Sequence, residues 1–301
     1  MRTYFHVMDI LVLDESAVQQ RLRYQDLIPG IAQALAALSS GQAVQPARVV
    51  LPVAPHSGFF AVMPAYAGAL GAKLVTFYPQ NVGIHTHHAV IVLFKAETGE
   101  PLAMMDGRLI TEMRTAAASA VATQQLARAD AAVLAILGSG VQAKSHLAAL
   151  RHVRSFEEVR VWSPRNAPVF AQRHGVKAVP TAADAVRGAD VVVVAASSTT
   201  PILQGRWLSP GTHVNAIGAT RPDWRELDDD LVTTARVFVD SREAALRESG
   251  DVIAARSAVT EIGAVVAGAD PGRRNAEEIT LFKSVGVAVE DMAAAALVLQ
   301  R

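Results

Sequence analysis

The feature that most constrains the fold is an apolar run ending in a glycine pair. Residues 131–137 are all apolar, and Gly138-Ser-Gly140-Val-Gln-Ala143 follows at once. The run suits a buried strand of a parallel sheet. Gly138 lets the chain turn sharply. Gly140 has no Cβ to hold a phosphate off the backbone, and Ala143 lets the next helix, from 142 to about 150, lie close on the strand. Unpaired N–H groups at the start of that helix attract an anion. Strand, turn and helix in this order predict the pyrophosphate turn of a dinucleotide fold, with Gly138, Gly140, Val141, Gln142 and Ala143 at the cofactor. A plain strand-to-helix turn uses the same pattern, so the flanking segments must decide.

Downstream, strand-like runs at 159–162, 178–179, 191–195, 213–217 and 237–239 alternate with helical patterns at about 168–174 and 182–187. Such alternation implies βαβ units and a parallel sheet. Upstream, strands predominate, at 9–13, 47–53, 59–63, 73–78, 87–94 and 101–106, with helices after Asp14 and at about 31–38. An alanine-dense helix over 111–128 joins the two textures. Residues 278–299 read as a last helical stretch, broken near Gly286, that returns to the first unit. The expected class is α/β: a Rossmann doubly wound parallel-sheet domain over 114–287, plus a strand-rich α+β domain over 1–113 completed by a C-terminal helix at about 288–301.

Lys+Arg and Asp+Glu are both 28, so the net charge is zero, which argues against a nucleic-acid partner. The absence of cysteine excludes disulfides, thiolate metal sites and cysteine nucleophiles. Asp9 and Asp14 interrupt any signal-peptide core, and no apolar run approaches the ~20 residues of a membrane span. A cytoplasmic protein without a membrane partner is expected.

The second strand of a dinucleotide fold reports the cofactor, because an acid at its end takes the ribose hydroxyl of NAD. Here residues 159–162 lead into Ser163-Pro-Arg165-Asn166, with no carboxylate. A serine and a guanidinium suit a 2′-phosphate, so Ser163 and Arg165 favour NADP(H), with NAD(H) as the alternative and a solvated loop arginine as the plain reading of Arg165. Arg48, Lys73 and Arg114 are cations in largely apolar sequence. Such groups are rarely buried unpartnered, and an anionic substrate would provide the partner; taken singly, each also reads as a surface or salt-bridge residue. Asn215 stands where a side-chain amide could meet the nicotinamide, or simply be satisfied in a loop. His85 and His87 would share a strand face and His88 would not. With no third ligand at useful spacing, a pocket wall is favoured and no metal is expected. The acidic run 226–230 reads as a helix N-terminal region or solvated loop.

Lys73, Asp106-Gly-Arg-Leu-Ile-Thr-Glu-Met-Arg-Thr-Ala-Ala117, the 138–143 turn, Gly218-Ala-Thr-Arg-Pro-Asp-Trp-Arg-Glu-Leu-Asp228 and Phe282-Lys-Ser-Val-Gly286 together resemble the ornithine cyclodeaminase/mu-crystallin family. The resemblance runs from about residue 45 to the C-terminus, and residues 221–229 and 239–251 look closest to the mu-crystallin, or ketimine reductase, branch. It implies a substrate and dimerisation domain, a Rossmann domain and a homodimer. It also implies a small carboxylate substrate held by Arg48, Lys73 and Arg114, with Thr115 among the cofactor-binding residues. The implied activity is NAD(P)H-dependent reduction of a cyclic or linear imino acid, with Lys73 nearest the reacting nitrogen. Cyclodeaminases carry an aspartate where this chain has Thr220, and threonine neither holds an ammonium by charge nor accepts a proton at neutral pH. Ornithine cyclodeamination, and a non-catalytic NADPH- and ligand-binding protein, are the alternative implications.

Overall fold

A computed structural model describes residues 10–301. The sequence reading of residues 1–9 lies outside the described residues. The strands are β1 (Leu11–Leu13), β2 (Val49–Val53), β3 (Gly58–Tyr66), β4 (Leu70–Phe77), β5 (His87–Phe94) and β6 (Pro101–Asp106), then β7 (Val133–Leu137), β8 (Glu158–Trp162), β9 (Lys177–Ala178), β10 (Val191–Val194), β11 (His213–Ala216), β12 (Arg236–Val239), β13 (Val259–Glu261) and β14 (Thr280–Lys283). The helices are α1 (Glu15–Arg21), α2 (Tyr24–Ser39), α3 (Arg108–Leu126), α4 (Val141–Leu150), α5 (Ala167–His174), α6 (Ala182–Val186), α7 (Asp229–Thr234), α8 (Arg242–Glu248), α9 (Gly250–Ala255), α10 (Ile262–Val266) and α11 (Ala288–Leu299).

The first sheet runs β1-β6-β5-β4-β3-β2, antiparallel except for the β1–β6 pair. The period of two sorts its side chains into two faces. On the inner face, cross-strand register aligns Met63, Lys73, Ile91 and Met105 in one row, Val50, Ala61, Val75 and Ala89 in the next, and Pro52, Phe59, Phe77 and His87 in a third. Helices α2, α3 and α11 pack with this unit.

The second sheet is all parallel, in the order β13-β12-β14-β11-β10-β7-β8-β9. The strand order reverses at β7, between β8 and β10. That is the switch point at which doubly wound sheets bind ligands, beyond the carboxyl ends of their strands. Helix α3 runs unbroken between the sheets. Its alanines 116–118, 120 and 122 are buried, and their small size lets α4 and β11 come close. His146 of α4 ties the helices together, its Nε2 lying 2.9 Å from Ser119 Oγ.

Three expectations are corrected. Helix α2 begins at Tyr24, not near Ile31, and holds Pro29 inside it. The proline removes one backbone hydrogen bond, but Gln25 and Pro29 are exposed, so water can serve the freed carbonyl. The stretch 278–299 is not one broken helix: residues 280–283 are the buried strand β14, between β11 and β12. A four-residue strand, Thr280-Leu-Phe-Lys283, is too short to carry a period that separates strand from helix. In the acidic run, Asp228 caps α7 as expected of a helix start, but Glu226 is fully buried rather than solvated.

Candidate active site

Two cavities meet above the switch point. One, of about 610 Å³, lies on the inner face of the first sheet, where Phe59, Val75 and Phe77 form an apolar floor under Arg48, Lys73 and Arg114. The other, of about 370 Å³, reaches Val141 and Gln142 at the start of α4 and Thr115 of α3. Phe77, His87, Thr111, Arg114, Ser197 and Thr220 line both.

The cations are organised by helix α11. Lys73, 1% exposed, places Nζ 2.7 Å from Asp291 Oδ2. Arg114 places Nε 3.0 Å from Asp291 Oδ1 and NH1 2.6 Å from Glu290 Oε2. Arg48 pairs its Nε with Glu248 at 3.0 Å and donates from NH2 to the carbonyls of Val285 and Gly286. Among the described residues, Arg114 NH2 and Arg48 NH1 have no partner in these pairs, leaving donors for a carboxylate.

Burial pushes the Lys73 ammonium down to about 8, against the pull of Asp291. Burial alone would raise Asp291, but Lys73 and Arg114 hold it below the usual range. Burial pushes Glu290 up to about 7 despite Arg114. His87 falls to about 4 through burial and then the nearby cations Lys73 and Arg114, so its ring is neutral. The loop 284–286 is held by Asp240, whose Oδ2 accepts from Ser284 Oγ and from the N–H groups of Val285 and Gly286. A Cβ at Gly286 would meet Arg114 NH1 at 2.7 Å, and its φ of +76° also favours glycine.

The glycine turn fits a dinucleotide. Gly138 has φ +133°, and a Cβ there would meet Ala195 O at 2.2 Å, so the turn closes against the end of β10. At Gly140 a Cβ would meet nothing within 4 Å. No side chain caps α4. Gln142 Oε1 is buried without a hydrogen-bond partner among the described residues. Open space, free helix N–H groups and an orphaned acceptor are what a bound pyrophosphate and its ribose would use. Ala143 is fully buried against the sheet. Ser163 reaches the turn through Ser139, their hydroxyls 2.9 Å apart, and Arg165 is exposed beyond it.

Asn215 is a correction. Its side chain lines neither cavity. It is fully buried, donating to Thr123 Oγ1 at 2.9 Å and lying 3.3 Å from His213 Nε2. Its side chain meets α3, while Ile217, past the end of β11, lines the cofactor cavity. The histidines are also corrected in part. Strand β5 starts at His87, so His85 precedes it and faces the cofactor cavity from a loop, while His88 sits on the outer face opposite Thr76. Sequence reasoning missed Glu290 and Asp291. Two adjacent acids inside an otherwise apolar helix were the available signal.

Comparison with known proteins agrees with this geometry. The sequence profile of the ornithine cyclodeaminase/mu-crystallin family matches residues 8–301. The ketimine reductase mu-crystallin of Mus musculus is 48% identical over 300 residues, covering 95% of each chain. The structure of Thermococcus litoralis Delta(1)-pyrroline-2-carboxylate reductase in complex with NADH and L-proline superposes with a TM-score of 0.92 at 38% identity, covering 97% of each chain. An archaeal alanine dehydrogenase dimer with bound NAD gives 0.91 at 34% identity, over 97% of this chain and 95% of that one. No helix among the described residues is long and apolar enough to cross a membrane. The chain belongs to the ornithine cyclodeaminase/mu-crystallin family.

Proposed function

We propose that this chain is a nicotinamide-dependent reductase of small α-imino acids of the ketimine or pyrroline-2-carboxylate type. The observation that carries the reading is the shared wall: a carboxylate-seeking cation cluster in an apolar cavity opens onto the dinucleotide turn through Thr111, Arg114 and Thr220. When bound, a reduced nicotinamide supplies hydride-donor chemistry. Arg48 and Arg114 offer guanidinium N–H groups to the substrate carboxylate and fix its orientation. Lys73 holds a proton at Nζ that is acidic enough, at about 8, to support or protonate an imine nitrogen near neutral pH. Phe59, Phe77 and Met63 keep water from these ions, which strengthens their contacts. Thr220 offers a neutral hydroxyl and no carboxylate to hold a substrate ammonium, which disfavours ornithine cyclodeamination.

For the cofactor, Ser163 and Arg165 and the lack of an acid after β8 support NADP(H) over NAD(H). Gly138, Gly140, Val141, Gln142, Ala143 and Thr115 complete its cradle. The working division is a substrate and dimerisation unit, 1–113 with 288–301, and a dinucleotide unit, 114–287, in a cytoplasmic homodimer. The test follows nicotinamide absorbance with NADPH and NADH against pyrroline-2-carboxylate, piperideine-2-carboxylate, pyruvate with ammonia or methylamine, and ornithine. Cofactor oxidation with the cyclic imines and none with ornithine is expected. Ornithine turnover to proline and ammonia without net cofactor change would overturn the reading.

A further inference from the structure

Of the segments that the second unit contributes to the substrate cavity, the longest follows β11: Gly218, Ala219 and Thr220, then Arg221, Pro222 and Trp224. Its backbone is not relaxed. Ala219 has φ +50°, a left-handed conformation unfavourable for a residue with a Cβ and kept only where the surroundings over-determine it.

Those surroundings are three fully buried ionisable side chains, Glu226, Asp251 and Lys283, none of which lines either cavity. Lys283, at the end of β14, donates from Nζ to the Gly218 carbonyl and lies 3.4 Å from Asp251 Oδ2. The Glu226 carboxyl lies against the Gly218 α-carbon so closely that a Cβ there would meet Oε2 at 2.1 Å. Glu226 Oε1 accepts from Ser198 N–H at 3.3 Å. Asp251 Oδ1 accepts from the N–H groups of Glu226 and Leu227, at 3.0 and 3.1 Å. Gly250 lets α9 approach from beneath: a Cβ there would meet the Trp224 carbonyl at 2.1 Å. Burying two acids and one base is costly compared with an apolar filling, so stability alone gives little reason for this cluster. These polar contacts run to Gly218, to residues 226 and 227 that follow the segment, to Ser198 and to one another.

We propose that Glu226, Asp251 and Lys283 are positioning residues for the reaction, a buried clamp that fixes the strained 218–220 turn so that Thr220 stands at the junction of the two cavities. Charge balance makes the clamp proton-dependent. Lys283 from β14 is matched by Asp251 from α9, and the Arg225 guanidinium is committed to Asp251 and Asp229. Glu226 is therefore the surplus acid, and burial pushes it up to about 8 despite Lys283. Below that pH it is neutral. As pH rises through it, a second carboxylate forms against Gly218 beside Asp251, and the turn loosens.

Which chemistry is aligned rests on the imino-acid reading, but the position of the segment can be read without any substrate. Trp224 reports it by its emission, with Trp224→Phe subtracted to remove the other two indoles. A shift with a midpoint near pH 8 is expected in the intact protein. It should be absent in Glu226→Gln, whose amide copies the neutral carboxyl. Lys283→Met should show the displaced emission already at pH 7, with NADPH affinity unchanged and kcat lower by about ten- to hundredfold. Lys73 also titrates near 8, so a shift that persists in Glu226→Gln assigns the transition to Lys73 and overturns the proposal. Flat emission of the parent protein across this range overturns it as well. If Lys283→Met does not fold, the Glu226→Gln titration decides alone. If no imine is reduced, the emission arm still stands or fails by itself.

Discussion

Lys73 sits in a cross-strand row between Met63 and Ile91, in a place that alternation alone would give to an apolar residue. The sequence made it conspicuous for that reason, and so it was legible. What held it was not. Its partner Asp291 lies over two hundred residues away, and only packing of α11 against β4 brings them together. The same limit applies to Asn215, whose residue type suited a cofactor amide but whose side chain is taken up by Thr123 of α3 in the core. Arg165 carries the prediction at this scale. If its guanidinium meets a 2′-phosphate, Arg165→Ala should weaken NADPH about ten- to hundredfold and leave NADH nearly unchanged, as measured by calorimetric or fluorescence titration. Equal losses for both cofactors would remove it from the phosphate site.

Among elements, α3 and α11 do most to build the site. The first turns of α3 place Thr111, Arg114 and Thr115 at the cavities, and its alanine-rich later turns allow the close packing of α4 that sets the glycine turn beside them. Helix α11 brings Glu290 and Asp291 under two cations at once. Asp291→Asn leaves Lys73 and Arg114 buried with half their countercharge. The expected loss is about 3–5 kcal/mol in denaturant unfolding, together with a raised KM for the imino acid. A variant as stable as the parent would show that the shared carboxylate is not what holds the pair. The alanine-dense pattern of α3 was plain in the sequence because helix propensity is local. The extent of α2 through Pro29, and β14 in place of a helix, were not, because tertiary surroundings overrode local signals.

At the level of the whole molecule, the outer face of the first sheet is the unresolved surface. Register aligns Val12, Met104, Val92, Ala72 and Pro64 in one row and Val90, Leu74, Val62 and Val49 in the next. Val12 is 64% exposed and Val49 66%. An apolar sheet face of this breadth is a surface that a monomer rarely leaves to water. We propose that this face is where two copies of the chain meet; the archaeal alanine dehydrogenase that superposes on it is itself a dimer. Leu74→Asp should therefore give a monomer by sedimentation, and a variant that stays dimeric would move the interface elsewhere. The sequence by itself determined the two textures, the dinucleotide turn and the cations that need an anion, because each follows from local pattern: period, glycine placement, and charge in apolar surroundings. The tertiary structure alone decided which acids meet those cations, which face of each strand its residues share, and that a buried clamp lies beneath the substrate turn. Those outcomes depend on contacts between residues far apart in the chain, and no local pattern encodes them.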